Sequence, residues 1–163
     1  MIQLKSMQTT ATRRQAILIL GGAAALSIQA QTEKAGTRIH QEVDFEVVPA
    51  RIYEALLDAK QFSAFTGLAA EIQAQPGGSL KMFGGLIEGR NIELVPNQRI
   101  VQAWREASWA HGYYSLAKFE LVGRGGGTRV VFDQTGIAEH DWGHLNEGWP
   151  LRYWEPLRRY FKG

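Results

Sequence analysis

Arg38-Ile39-His40-Gln41-Glu42-Val43-Asp44-Phe45-Glu46-Val47-Val48-Pro49-Ala50-Arg51-Ile52-Tyr53-Glu54-Ala55-Leu56-Leu57 changes its hydrophobic period at one residue. Before Pro49 the chain alternates: Ile39, Val43, Phe45 and Val47 share one face, and His40, Glu42, Asp44 and Glu46 share the other. That is a half-buried strand, predicted over 38–48. Pro49 suits the first turn of a helix, because its missing N–H would have no partner there. After it, Ile52 pairs with Leu56 and Tyr53 with Leu57 at four-residue spacing. A second short helix is predicted over Gln61–Phe65.

The next seventy residues read as strands cut by turn signals. Leu68–Ala74 ends at Pro76-Gly77-Gly78, Ser79–Phe83 at Gly84-Gly85, and Leu86–Val95 at Pro96-Asn97. Arg99–Arg105 ends in a loop holding Trp109 and Gly112. Tyr113–Val122 ends at Gly123–Gly127, and Thr128–Thr135 ends at Gly136. The last segment, from about Gly143 to Phe161, is helical, with Leu145, Trp149, Tyr153 and Leu157 recurring every four residues. Pro150 and Pro156 inside it should kink or interrupt it. The order is strand, two helices, six strands, long helix. This predicts an α+β fold in which a curved antiparallel sheet wraps the C-terminal helix, the one element long enough to cover its apolar face. A sheet gripping a helix leaves room for a cavity between them.

Ahead of this domain, Ala16–Ile28 is an apolar run of 13 residues. A spanning helix needs about 20, so no stable membrane anchor is expected. A basic stretch precedes the run and Gln29-Ala30-Gln31 follows it, the layout of a secretory signal. Thr12-Arg13-Arg14-Gln15 is similar to the twin-arginine export motif. The expected organisation is a signal peptide over 1–30, a linker over 31–37 and one domain over 38–163. The expected location is periplasmic or secreted in a bacterium, with the twin-arginine export machinery as partner during transport.

The chain has 163 residues, 18 of them glycine, no cysteine, and a formal charge of +2. Without cysteine, disulfides, thiolate metal sites and cysteine nucleophiles are excluded. Lys5, Arg13 and Arg14 all lie in the leader. Without them 15 basic residues face 16 acidic ones, and no basic stripe marks a nucleic-acid partner. Arg152, Arg158 and Arg159 read as a solvated helix face.

Several motifs together resemble a known family. Val48-Pro49-Ala50-Arg51-Ile52-Tyr53-Glu54-Ala55-Leu56 is similar to the opening helix of START-like (SRPBCC, helix-grip) domains, in the branch named after the C-terminal domain of the activator of heat-shock-protein-90 ATPase. Ile100–Arg105 agrees, as do Gly127–Phe132 with Gln134-Thr135-Gly136, and Gly148-Trp149 followed by Tyr153–Leu157. The resemblance covers Arg38 to Phe161. It implies a helix-grip fold. Function stays open among ligand carriers, cyclases, ring-opening oxygenase modules and chaperone cofactors. The export signal argues against activation of a cytosolic chaperone.

The candidate chemistry is sparse. In Glu139-His140-Asp141-Trp142-Gly143-His144, two histidines four apart could share a metal on a helix. Gly143 between them and the position before the final helix instead make Asp141 a helix N-cap. No metal, no cofactor and no catalytic residue is expected. Gly123-Arg124-Gly125-Gly126-Gly127 lacks the lysine and hydroxyl of a phosphate loop and reads as a hairpin. An enzyme of the cyclase or hydrolase kind would need a deep polar pair, for which Arg90, Gln102 and His111 are the candidates. The aromatics admit two readings, core packing and cavity lining. The expected function is binding of a small apolar or aromatic ligand, the cavity candidates being Phe45, Met82, Trp104, Phe119, Phe132, Trp149 and Tyr153. A START-like enzyme of the cyclase or hydrolase type and a chaperone-type interaction module are the alternatives.

Overall fold

A computed structural model describes residues 37–163. The expectations for the leader, the linker and the cleavage site lie outside the described residues. β1 (Arg38–Phe45) is followed by α1 (Pro49–Leu57) and α2 (Ala59–Thr66). Then come β2 (Glu71–Ile72), β3 (Ser79–Met82), β4 (Ile87–Val95), β5 (Arg99–Glu106), β6 (Ser115–Arg124) and β7 (Gly127–Thr135). The chain closes with α3 (Trp142–Trp149), a π-helical turn over Pro150–Trp154, and α4 (Glu155–Lys162).

The strands form one seven-stranded antiparallel sheet in the order β1-β7-β6-β5-β4-β3-β2. The first strand thus returns beside the last, with Phe45 opposite Thr128 and Arg38 opposite Thr135. The inward face carries Ile39, Val43 and Phe45 from β1, Val130 and Phe132 from β7, Ala117 and Phe119 from β6, and Ile100 and Trp104 from β5. All of them are buried. Against this face lie Leu145, Trp149, Tyr153, Trp154 and Leu157 of the closing helix. The predicted α+β helix-grip architecture is what the chain adopts.

Several boundaries differ from the periodicity. The strand expected over Leu68–Ala74 shrinks to β2, which pairs only Glu71 with Lys81 and Ile72 with Leu80. Gly67 ends α2 in the left-handed region at φ 73°, and the next residues run over the surface with Leu68 exposed. Tyr113 and Tyr114 precede β6 rather than open it. The Tyr113 hydroxyl donates to the Gly136 carbonyl at 2.9 Å.

The break in the closing helix has a definite cause. Pro150 has no N–H to give the Asn146 carbonyl, the acceptor one turn earlier. That carbonyl accepts instead from Gln41 Nε2 of β1 at 3.0 Å. The Glu155 N–H then reaches back five residues to the Pro150 carbonyl, closing the π turn. Gln41 also accepts from Trp154 Nε1 at 2.6 Å. One amide on β1 therefore ties both sides of the interruption to the sheet.

Candidate functional site

The space between sheet and helix opens to solvent beside α3. A groove of about 460 Å³ lies where α3 and the π turn pass the β3–β4 connection and the end of β5. Its apolar wall is Phe83, Ile87, Trp104, Leu145, Trp149 and Tyr153, with Leu86 and Leu151 at the rim. Ala107 and Ser108, small residues just after β5, form another side. Gly148 faces the groove from α3, and a Cβ added there would meet no atom within 4 Å. A glycine in mid-helix weakens the helix; here it also leaves the groove's floor clear.

Of the seven residues expected to line a cavity, all are buried, but the structure divides them. Trp104, Trp149 and Tyr153 line the groove. Phe119 and Phe132 pack on each other at 5.0 Å, and Phe132 lies 4.0 Å from the Trp149 ring, filling the space behind. Met82 sits under the Tyr153 hydroxyl, which points to its sulfur at 3.7 Å. Phe45 stands apart, edge-on to Phe161 at 6.3 Å, in a separate and more polar recess with Asp44, Glu46 and Arg158.

A chain of buried hydrogen bonds sets the character of the wall. Trp104 Nε1 donates to Gln102 Oε1 at 3.2 Å. Gln102 donates to Asn91 Oδ1 at 2.9 Å, and Asn91 to the Gln73 carbonyl at 2.8 Å. Trp149 Nε1 donates to Gln134 Oε1 at 2.8 Å, Gln134 to Ser115 Oγ at 2.9 Å, and Ser115 to the Trp104 carbonyl at 3.2 Å. The two indoles stack at 4.8 Å with 26° between planes. Both indole N–H groups are thus satisfied inside the protein, and what the tryptophans offer a ligand is carbon. Burial pushes the Tyr153 phenol far above its ordinary range, so it stays neutral.

Polar groups gather at the mouth. Glu106, at the end of β5, meets His144 of α3, Oε1 to Nε2 at 2.9 Å. Arg152 and Glu147 are exposed on the helix side. Arg105, buried on the opposite face of β5, holds the adjoining loop. Its guanidinium donates to the carbonyls of Trp109 at 2.8 Å, Ala110 at 3.3 Å and Ala107 at 3.4 Å, and to Glu88 at 3.1 Å.

The residues considered for an enzymatic pair do not converge. Arg90 is exposed and donates to the Gly77 carbonyl, His111 is exposed in its loop, and Gln102 is engaged with Trp104 and Asn91. Asp141 stands at the N-cap position of α3, but its side chain makes no capping bond. Its backbone is already helical there (φ −92°, ψ −14°), which turns the carboxylate away from the first N–H groups. This corrects the capping role read from the sequence. The glycine stretch 123–127 is a β6–β7 hairpin, with Gly125 and Gly126 at positive φ. Gln41, Arg105, Ser115, Gln134 and Gly148 carry the site's geometry, and the hydrophobic period does not single them out. Gly148 alone leaves a trace, a glycine inside a helical pattern.

The comparisons agree with this architecture. An HSP90 activator from Plasmodium falciparum superposes with a TM-score of 0.72 at 21% identity, covering 78% of this chain and 97% of that one. DynU16, from the dynemicin biosynthetic locus, superposes with a TM-score of 0.66 at 18% identity, covering 77% of this chain and 47% of that one. These likenesses concern the fold. The human activator of 90 kDa heat shock protein ATPase homolog 1 is 27% identical over 117 residues, 72% of this chain and 35% of that protein. The chain spans about a third of the length of the curated relatives it matches. The profile of the family described as Activator of Hsp90 ATPase homolog 1-like protein matches residues 46–162. With that match over most of its length, the chain belongs to the activator of Hsp90 ATPase homolog 1-like family, within the START-like fold.

Proposed function

We propose that this domain binds a small apolar or aromatic molecule in the groove beside Trp104 and Trp149. The observation that carries the reading is the groove itself: about 460 Å³, walled by carbon, with both indole N–H groups turned inward. Ligand pockets of this kind are concave and mostly apolar, with a few polar groups that orient the occupant. Here the polar groups, Glu106, His144 and Arg152, sit at the mouth, so the ligand's polar end faces out. The test is tryptophan quenching and displacement of a lipophilic fluorescent probe, with native mass spectrometry of the purified chain. Binding should fall about tenfold or more in Gly148→Leu, which projects into the groove from a position where an added Cβ has no clash to relieve. Equal binding by that variant would sink the reading.

A second reading, docking of a protein partner, is favoured by Leu86 and Leu151, which are 53% and 63% exposed at the rim, and by the naming of the relatives as Hsp90 ATPase activators. Retained pull-down of a chaperone by Gly148→Leu, with loss in Leu86→Asp, would support it.

We also propose export to the periplasm by the twin-arginine route. The Arg13-Arg14 pair, the apolar run and the small residues around Ala30 support it. N-terminal sequencing of fractionated cells should find a start near Gln31, and lysine at both arginines should block export. An uncut Met1 on cytoplasmic protein would overturn it.

A further inference from the structure

Two residues at the groove's mouth, Glu106 and His144, also belong to a cluster with Asp141. Glu106, Asp141 and His144 come from the end of β5 and the start of α3, and one ligand atom of each lies within 4.8 Å of the others. His144 Nε2 is 2.9 Å from Glu106 Oε1, and His144 Nδ1 is 4.0 Å from Asp141 Oδ1. Two donors each about 2.1 Å from one ion stand about 3.0–3.4 Å apart at octahedral to tetrahedral angles. The Glu106–His144 Nε2 pair is already near that spacing; Asp141 faces the other ring nitrogen, Nδ1, so a turn of the imidazole or of the carboxylate side chains brings one donor of each residue onto one ion.

A second observation concerns Asp141. Its side chain is 14% exposed, it does not cap its helix, and its Oδ2 is buried without a hydrogen-bond partner. His140 Nε2 lies 3.2 Å from Oδ2, on an imidazole that is 83% exposed. A buried carboxylate oxygen left in this state costs stability unless a cation meets it. The sequence offered this aspartate an ordinary structural role as a cap, and the structure withholds it.

We propose that Glu106, Asp141 and His144 bind a divalent transition-metal ion of the zinc class at the mouth of the groove. One imidazole nitrogen with two carboxylates selects such an ion over magnesium or calcium, which take oxygen donors. Three protein ligands leave further coordination positions for water or for a polar group of whatever enters the groove. The site stands independently of the groove's occupant. Of the other histidines, His40 bonds Asp133 on the outer face of β1, His111 lies in the loop after β5, and His140 faces the other oxygen of Asp141 at 3.2 Å.

The experiment is calorimetric titration of zinc chloride into the full chain, free of any affinity tag and stripped with chelator beforehand. The expected result is one ion per chain, with affinity falling about tenfold or more in His144→Ala and in Asp141→Asn. Magnesium chloride should give no binding under the same conditions. Cobalt(II) should show visible d–d absorption that His144→Ala abolishes. His140→Ala should leave zinc affinity nearly unchanged. His144 and His140 are exposed enough that neither variant threatens the fold, and near-ultraviolet circular dichroism checks this. Absence of zinc uptake overturns the proposal. So does affinity indifferent to His144 and Asp141, or binding lost with His140 and retained without His144.

Discussion

Trp149 stands between two regions of the interior that are similar in composition and opposite in texture. Behind it, Phe119, Phe132 and Trp154 pack at centroid distances of 5.0 to 6.1 Å, and Phe62, Phe65 and Tyr153 continue the cluster. In front of it the same helix and sheet enclose an open groove lined by Trp104, Phe83 and Tyr153. Aromatic content does not separate the two. The difference lies in the small residues: Gly148, Ala107 and Ser108 face the rings at the open end, where large side chains face them behind. A cavity in this fold is made by what is withheld opposite the aromatics.

The sharpest way to break that comparison is to open the closed side. Phe132→Ala removes a fully buried ring and should cost about 3–5 kcal/mol in urea unfolding. If the loss is under about 1 kcal/mol, the packed region is not the rigid half supposed here. Gln41→Ala tests the tether between β1 and the interrupted helix. It strands the Asn146 carbonyl and the Trp154 N–H together, and about 1–3 kcal/mol should be lost. A neutral result would mean that water replaces the amide.

Asp133 lies outside both regions, on the outer face of β7. Burial raises its pKa, but bonds from Arg38 at 2.7 Å and His40 at 2.8 Å outweigh it and hold the carboxyl below its usual range. A lowered folded pKa gives stability that is present above the unfolded value of about 3.9 and lost as pH falls through the folded one. Asp133→Asn should cost about 1 kcal/mol near neutrality, because both partners are half exposed. The deficit should shrink as pH falls below the unfolded value and through the lowered folded one, read from urea midpoints across pH. The smallest effect belongs to the open side. Leu151→Ser should change stability by no more than about 0.5 kcal/mol while weakening probe binding, since Leu151 touches solvent more than protein.

Much of the fold is legible in the chain because it rests on period. The switch at Pro49 marks the end of the strand region and the start of α1, and the spacing of Leu145, Trp149, Tyr153 and Leu157 places the closing helix. Pro150 announces an interruption, but its π form depends on Gln41, more than one hundred residues earlier, taking the freed carbonyl. The short β2 escaped because alternation in Leu68–Ala74 says nothing about whether a partner strand reaches it. The site was legible only as a set of aromatics. Which rings face empty space depends on the loop that Arg105 holds and on the polar chain through Gln102 and Gln134, and neither has a sequence period. The mouth cluster was half visible: the histidine–aspartate motif was plain, whereas Glu106 joins it only through the sheet.

The stacked indoles have an optical consequence. Two identical chromophores held 4.8 Å apart at 26° are exciton-coupled, so their transitions split and the pair contributes a signed couplet to the far-ultraviolet circular dichroism that neither ring gives alone. The pair joins the packed region to the groove, and a change in its angle alters the couplet's amplitude even when helix and strand content stay constant. The molecule therefore carries its own reporter, readable without a label; Trp104→Phe removes the Trp104–Trp149 part of it and leaves the Trp149–Trp154 stack at 5.5 Å and 23°.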